Sequence, residues 1–317
     1  MIASHRQNRP QMPKNWCPFC PGSGKVPDDY DVYMYENDFP SLSQTPPKPD
    51  EVDTSEVFKT QPSYGKCEVI LYSPNHTITL PELSVPHIEK LVALWIERFE
   101  DMKKDENIKF IYIFENRGEM IGVTMPHPHG QIYGFSRIPK KLELEVESSS
   151  EHYEQTKRCL FCDSLEAELN FGDRILFRNE AFTVYLPFYA PYPYGVNIIS
   201  NRHLGTILDF DDNEKKLFAQ TLKNTTGMLD SLFDRPFPYM MCMHNAPVNS
   251  GDLSESFHFH IEFYSPVRNE SSRQYDASSE TGAWGHCNQS SPEEKSKELR
   301  AALEKFLAKE SQQVDAK

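Results

Sequence analysis

The same three motifs occur twice along this chain, in the same order. In the first half, Cys17/Cys20, Ser73/His76 and His127/His129 follow one another; in the second, Cys159/Cys162, Ser200/His203 and His258/His260 do. Each set reads Cys-x-x-Cys, Ser-x-x-His, an amphipathic helical segment, then His-x-His. One such match is weak. Three in one order, at comparable separations and around the same helix, point to duplication. Each half has an apolar face to bury, so two similar α+β halves sharing one extended sheet fit better than two unrelated domains.

The periodicities agree with repeated halves. CEVILY at 67–72 predicts a strand; Ser84 followed by Pro86 opens a helix with Ile88, Leu91, Trp95 and Phe99 on one face. Strands are expected at 108–116 and through MPHPHGQIYGF. In the second half, strands are expected through 175–185 and 196–200, then a helix near 213–233 with Leu217, Phe218, Leu222, Leu229 and Leu232 on one face. Strands near 239–244 and 257–264 follow, then a helix opened by Ser291, Pro292 and Glu294. Residues 30–66 read as loop and short strand. The charged, serine-bearing stretch KKLELEVESSSEHYEQTKR reads as the boundary, giving halves 1–140 and 159–310, a linker 141–158 and a tail 311–317.

A net charge of -14 argues against nucleic-acid binding, which draws on Lys and Arg to neutralise phosphates. No apolar run is long enough to span a bilayer and the start has no apolar signal core, so a soluble cytoplasmic protein is expected. In a reducing compartment, the paired cysteines then read as metal ligands and not disulfides.

Cys17 and Cys20, joined by distant histidines, make the S/N donor set of tetrahedral zinc. A redox pair is the alternative; it needs a helix start, whereas Pro21, Gly22 and Gly24 favour a loop. On a strand, His127, His129 and Gln131 face one way. If the cysteines and His76 take three metal positions, His127 can fill the fourth, and His129 is left as a possible nucleophile. The plain alternative is a satisfied polar histidine. Gly130 would let a ligand approach the backbone, and Gln131 can donate an amide hydrogen to a phosphate oxygen without adding charge. The second half has Glu262 at the equivalent place, where a carboxylate would repel phosphate, so the first copy is the reactive one. Arg6 and Arg9 offer planar donors for phosphate, and Asn37, Asp38 and Phe39 offer polar groups beside an aromatic face. Both sets can equally be solvated loop residues.

With HPHGQ the chain resembles the galactose-1-phosphate uridylyltransferase family, a branch of the histidine-triad superfamily. SHRQNRP, CPFCPG, ENDFPSL, YSPNHTITLPEL, FENRGEMIG, HNAPVN and FHFH also match, so the likeness spans nearly the whole chain. The resemblance implies duplicated histidine-triad-like halves in one mostly antiparallel sheet with helices packed on it. It also implies a ping-pong reaction: UDP-glucose gives its uridylyl group to His129 and releases glucose 1-phosphate, then galactose 1-phosphate takes the group and leaves as UDP-galactose. Gln131 would assist. Arg6, Arg9, Asn37, Asp38, Asn116, Gly122, Thr124 and Gln131 would contact the nucleotide or its phosphates. Cys17, Cys20, His76 and His127 would hold zinc, and the family's homodimers complete their sites across the interface. Extended by the duplication, Cys159, Cys162, His203 and His258 would hold a second zinc; iron near Glu145, His244, His258 and His260 is the family's other arrangement. The pattern weakens at QYDASSETGAWGHCN, which bears on the sugar phosphate. Two other readings remain at this stage: a related nucleotide-sugar phosphorylase or adenylyltransferase, and a zinc-stabilised nucleotide-binding protein without turnover.

Overall fold

The apolar runs become strands of a single sheet in a computed structural model that describes residues 16–49 and 57–315. The strands are β1 (Tyr33–Glu36), β2 (Gly65–Leu71), β3 (Phe110–Arg117), β4 (His129–Phe135), β5 (Ile175–Arg178), β6 (Phe182–Tyr185), β7 (Asn197–Ser200), β8 (Tyr239–His244) and β9 (His260–Tyr264). Every pairing is antiparallel, in the order β1-β2-β4-β3-β8-β9-β7-β6-β5. The order β1-β2-β4-β3 is mirrored by β6-β7-β9-β8 from the other side, with β5 added at the edge. The halves therefore meet where β3 pairs with β8. This is the duplicated, mostly antiparallel architecture the motifs call for.

The helices are α1 (Val85–Lys103), α2 (Lys140–Thr156), α3 (Leu160–Phe171), α4 (Asp212–Leu232), α5 (Ser278–Ala283) and α6 (Pro292–Asp315). Ser84 caps α1 by accepting from the His87 amide, and Asp211 and Glu214 form a reciprocal capping box on α4. The expected face of α1, Ile88, Leu91, Trp95 and Phe99, is wholly buried; on α4, Phe218, Leu222 and Leu229 are buried, while Leu217 and Leu232 pack partly exposed at its edge. Each fully buried large apolar side chain contributes roughly 1.5–3 kcal/mol, so this helix-covered face holds most of the core. Among the described residues no helix is long and apolar enough to cross a membrane.

The opposite face of the sheet is divided. Over the first half it carries the loop of the first cysteine pair, with Phe19, Tyr30 and Met125 packed on Val69 and Leu71. Over the second half it is covered by α3, where Leu165 meets Tyr185 and Ile199. The stretch expected to be a linker is mostly helix α2, burying only Leu142 and Ser149. So narrow an apolar stripe among charges does not register as helical periodicity. The second cysteine pair likewise differs from the first: Cys159 stands at the N-terminus of α3, whereas Cys17 and Cys20 lie in a turn.

One charge lies deep in the helix-facing layer. Glu115 on β3 is buried, accepting from the Tyr239 hydroxyl at 3.2 Å through one oxygen, while the other oxygen has no hydrogen-bond partner. Burial pushes its carboxyl up to about 7, against the opposing Arg117 charge. The folded protein thus binds this proton more tightly than the unfolded chain, so stability falls as pH rises from the ordinary carboxyl range through about 7. Glu115→Gln should therefore be more stable than wild type at pH 8 by up to roughly 3 kcal/mol, with the gap closing below about pH 5. Urea denaturation at the two pH values measures it, and a gap that does not change with pH would refute the raised carboxyl.

Candidate active site

A cavity of about 330 Å³ opens on the first half of the sheet's other face. His129 and Gln131 reach it from β4, and Phe114 and Asn116 from β3, because Phe114 lies opposite Gln131 in register and shares its side. Asn37, Asp38 and Phe39 enter from the turn after β1, and Gly122 and Thr124 from the segment between β3 and β4. The Asn37 side chain accepts from the Phe39 amide at 2.9 Å and Asp38 accepts from the Tyr35 hydroxyl at 2.7 Å, so both are held in place. Gly122 has φ 85° and closes a short 3-10 turn at Glu119–Ile121, a conformation that suits glycine. Arg6 and Arg9 lie outside the described residues.

His129 Nδ1 is 2.7 Å from the backbone oxygen of His127. A carbonyl only accepts, so Nδ1 carries the hydrogen and Nε2 is left as the lone-pair nitrogen of the neutral ring. Phe19 packs against this ring at 5.6 Å between centroids. The reason for Gly130 differs from the expected one: a Cβ there would lie 2.4 Å from the Tyr72 hydroxyl, on the helix-facing side. It is glycine because Tyr72 fills that space beneath the strand.

Beside the cavity, Cys17, Cys20, His76 and His127 bring four donor atoms within 4.8 Å of one another. His76 Nδ1 is 3.4 Å from Cys20 Sγ, and His127 Nδ1 is 3.7 and 3.6 Å from the two sulfurs. Tetrahedral zinc with ordinary bond lengths sets such S···N edges at roughly 3.5 Å, so the donor set fits the ion. His127 donates through Nε2 to the Ser73 carbonyl at 2.8 Å, which turns Nδ1 to the sulfurs. Burial holds its imidazole down at about 4, outweighing that hydrogen bond, so it stays neutral. Burial also pushes the Cys17 thiol up to about 11, a bias that a bound cation reverses.

Cys159, Cys162, His203 and His258 assemble in the same way in the second half. His203 and His258 place Nδ1 at 3.2 and 3.4 Å from Cys162 Sγ, and their Nε2 atoms donate to the Ser254 carbonyl at 2.6 Å and the Arg202 carbonyl at 3.2 Å. Hydrogen bonds from Cys162 and the two histidines pull the Cys159 thiol down, while its partner Cys162 is pushed up. Although this pair opens a helix, as a redox pair would, two imidazole nitrogens converge on it.

A third cluster, Glu145, His244 and His260, could also hold an ion. His258 does not join it, contrary to the expected iron set; Glu262 lies beside it instead, 3.6 Å from His244 Nε2. The cysteine set and this set are thus separate places and do not exclude each other. His260 Nδ1 donates to the His258 carbonyl at 2.9 Å, so in the neutral ring a lone pair on Nε2 faces a Glu145 oxygen 3.0 Å away. Two acceptors meeting there need a proton or a cation between them. Burial would raise the Glu145 carboxyl, but His244 and His260 overcome it and hold it well below the usual carboxylate range. Glu262 does not stand bare where a phosphate would meet it, since Lys141 pairs with it at 2.9 Å. No local pattern marks this cluster, because Glu145 arrives on α2 and His244 resembles any lone histidine; the family resemblance alone named its members. Phe19, Phe114 and Tyr133 were missed for a similar reason: scattered aromatics read as core.

Family models for the N-terminal and C-terminal domains of galactose-1-phosphate uridyl transferase match residues 3–139 and 145–277. The chain is 41% identical over 301 residues to the galactose-1-phosphate uridylyltransferase of Thermotoga maritima, covering 95% of this chain and 94% of that protein. It is 32% identical over 273 residues to that of Schizosaccharomyces pombe, covering 79% and 73%. A solved uridylyltransferase structure superposes with a TM-score of 0.87 at 31% identity, covering 93% of this chain and 94% of that one. An ADP-glucose phosphorylase from Arabidopsis thaliana shares the fold, with a TM-score of 0.76 at 20% identity over 92% of each chain.

Proposed function

Because this chain belongs to the galactose-1-phosphate uridylyltransferase family and exchanges a uridylyl group between UDP-glucose and galactose 1-phosphate, we propose that His129 carries that group as a covalent intermediate. The observation behind this is the 2.7 Å contact that commits the His129 hydrogen to Nδ1. Nε2 attacks the α-phosphorus of UDP-glucose, and the bond to the departing oxygen of glucose 1-phosphate breaks. As the ring gains positive charge, the His127 carbonyl stabilises Nδ1–H. A phosphate oxygen of galactose 1-phosphate then attacks the same phosphorus, UDP-galactose forms, and the electron pair returns to Nε2.

Gln131 hydrogen-bonds a phosphoryl oxygen as charge builds on it. Arg6, Arg9, Asn37, Asp38, Asn116, Gly122 and Thr124 hold the nucleotide and its phosphates in this reading. In this reading Cys17, Cys20, His76 and His127 would hold one zinc, and Cys159, Cys162, His203 and His258 a second; each ion would tie together the segments that supply its ligands. A division into a catalytic half at 1–140 and a second half is supported by the two matched spans, 3–139 and 145–277, although the second span begins inside the expected linker 141–158 and α6 runs to Asp315, through most of the expected tail at 311–317. The protein acts as a cytoplasmic homodimer.

Initial-rate kinetics test the covalent step. Double-reciprocal plots for UDP-glucose and galactose 1-phosphate should be parallel, and radiolabelled UDP-glucose alone should leave an acid-labile adduct on the protein. Intersecting lines with no adduct would mean direct transfer in a ternary complex. Faster turnover of ADP-glucose than of UDP-glucose would move the assignment to a phosphorylase.

A further inference from the structure

An amide has a donor side and an acceptor side, and only the donor side of Gln131 can stabilise a phosphoryl oxygen. In this structure the Tyr133 hydroxyl donates to Gln131 Oε1 at 2.9 Å. In this orientation the carbonyl lies on Tyr133 and the Nε2 side is left for the cavity that both residues line. The reversed amide would turn lone pairs toward the phosphate. Tyr133 stands two residues from Gln131 on β4 and therefore on the same face. Its ring is fixed independently of the hydroxyl, edge-on to Phe114 at 5.0 Å and tilted against Phe135 at 6.1 Å. The same spacing recurs on β9, where Tyr264 lies two residues from Glu262 and Lys141 bridges the two. The polar side chain is thus tied to the tyrosine two positions on in both halves, directly in the first and through a cation in the second.

We infer that Tyr133 is a positioning residue, whose hydroxyl sets the Gln131 amide so that its donor side meets the transferring phosphate. This rests on the role proposed for Gln131. The test is a double-mutant cycle of Tyr133→Phe and Gln131→Ala in the full-length protein, read as the single-turnover rate of uridylyl-enzyme formation from UDP-glucose and as thermal midpoint. Gln131→Ala should slow the step about a hundredfold. Tyr133→Phe should slow it about tenfold in the wild-type background, with an unchanged thermal midpoint, and by less than about twofold when Gln131 is already Ala. A merely structural tyrosine would cost the same in both backgrounds, and that result, or a Tyr133→Phe protein at wild-type rate, overturns the inference. If Gln131→Ala itself reacts at the wild-type rate, the role of Gln131 fails, and the inference with it. If Gln131→Ala is slow while Tyr133→Phe is not, only the role of Tyr133 fails.

Discussion

Replacing His129 by Asn should lower uridylyl exchange by roughly four orders of magnitude or more, with the protein still folded. His260→Asn, at the equivalent place in the second half, should keep a readily measured rate. Both histidines start a strand, face the same side of one sheet, and donate Nδ1–H to the carbonyl two residues back. What differs is what their Nε2 atoms meet. His129 lines a cavity with Gln131, whereas His260 is buried, points at Glu145 from α2 and is covered by Phe161 at 4.7 Å between centroids. Removing a nucleophile removes the covalent route itself, while a lost hydrogen bond costs one or two orders of magnitude, so the size of the effect separates the two roles. Exchange assays on both variants, with circular dichroism to verify folding, decide it. Wild-type turnover in folded His129→Asn would exclude the covalent histidine.

That asymmetry was legible in the sequence only as far as HPHGQ against HFHIE. Strand period 2 puts His129 and Gln131 on one side, and the structure keeps them there. The duplicated order of motifs likewise translates into the mirrored strand order, because each motif sits at a strand end or beside one and strand pairing carries it along. What could not be read was anything that depends on a helix with little apolar surface. α2 buries Leu142 and Ser149 alone, so the segment reads as a linker, and its delivery of Glu145 and Lys141 to β8 and β9 has no signal in the periodicity; family resemblance alone placed Glu145 beside His244 and His260. The placement of Asn116, Gly122 and Thr124 around the cavity had no local signal either; family resemblance alone pointed to them. Gly130 shows how a correct residue can carry the wrong reason, since its constraint comes from Tyr72 underneath and not from a ligand above.

Cys159→Ser/Cys162→Ser should release one metal ion per chain and lower the thermal midpoint on the order of 10 °C, with exchange still detectable. The pair ties the start of α3 to the His203 turn and to His258 just before β9, three segments far apart in sequence. Without an ion, the two thiols and two imidazoles are polar groups turned toward one another, and serine supplies neither the thiolate charge nor its affinity for zinc. The loss falls on the second half and does not reach the cavity around His129, which explains why chemistry should survive. Thiolate and imidazole donors favour zinc, so elemental analysis should find about two zinc per wild-type chain and about one in the variant. The Glu145–His244–His260 cluster makes a further outcome informative. Its carboxylate and imidazole donors suit a harder ion, and because it is separate from the cysteine set, iron found there would remain when the cysteines are removed. One zinc with stoichiometric iron in the wild-type protein would mean that the second cysteine set is empty and the third cluster filled. A wild-type chain with two zinc that kept both in the variant would show that the second ion sits elsewhere than on Cys159 and Cys162.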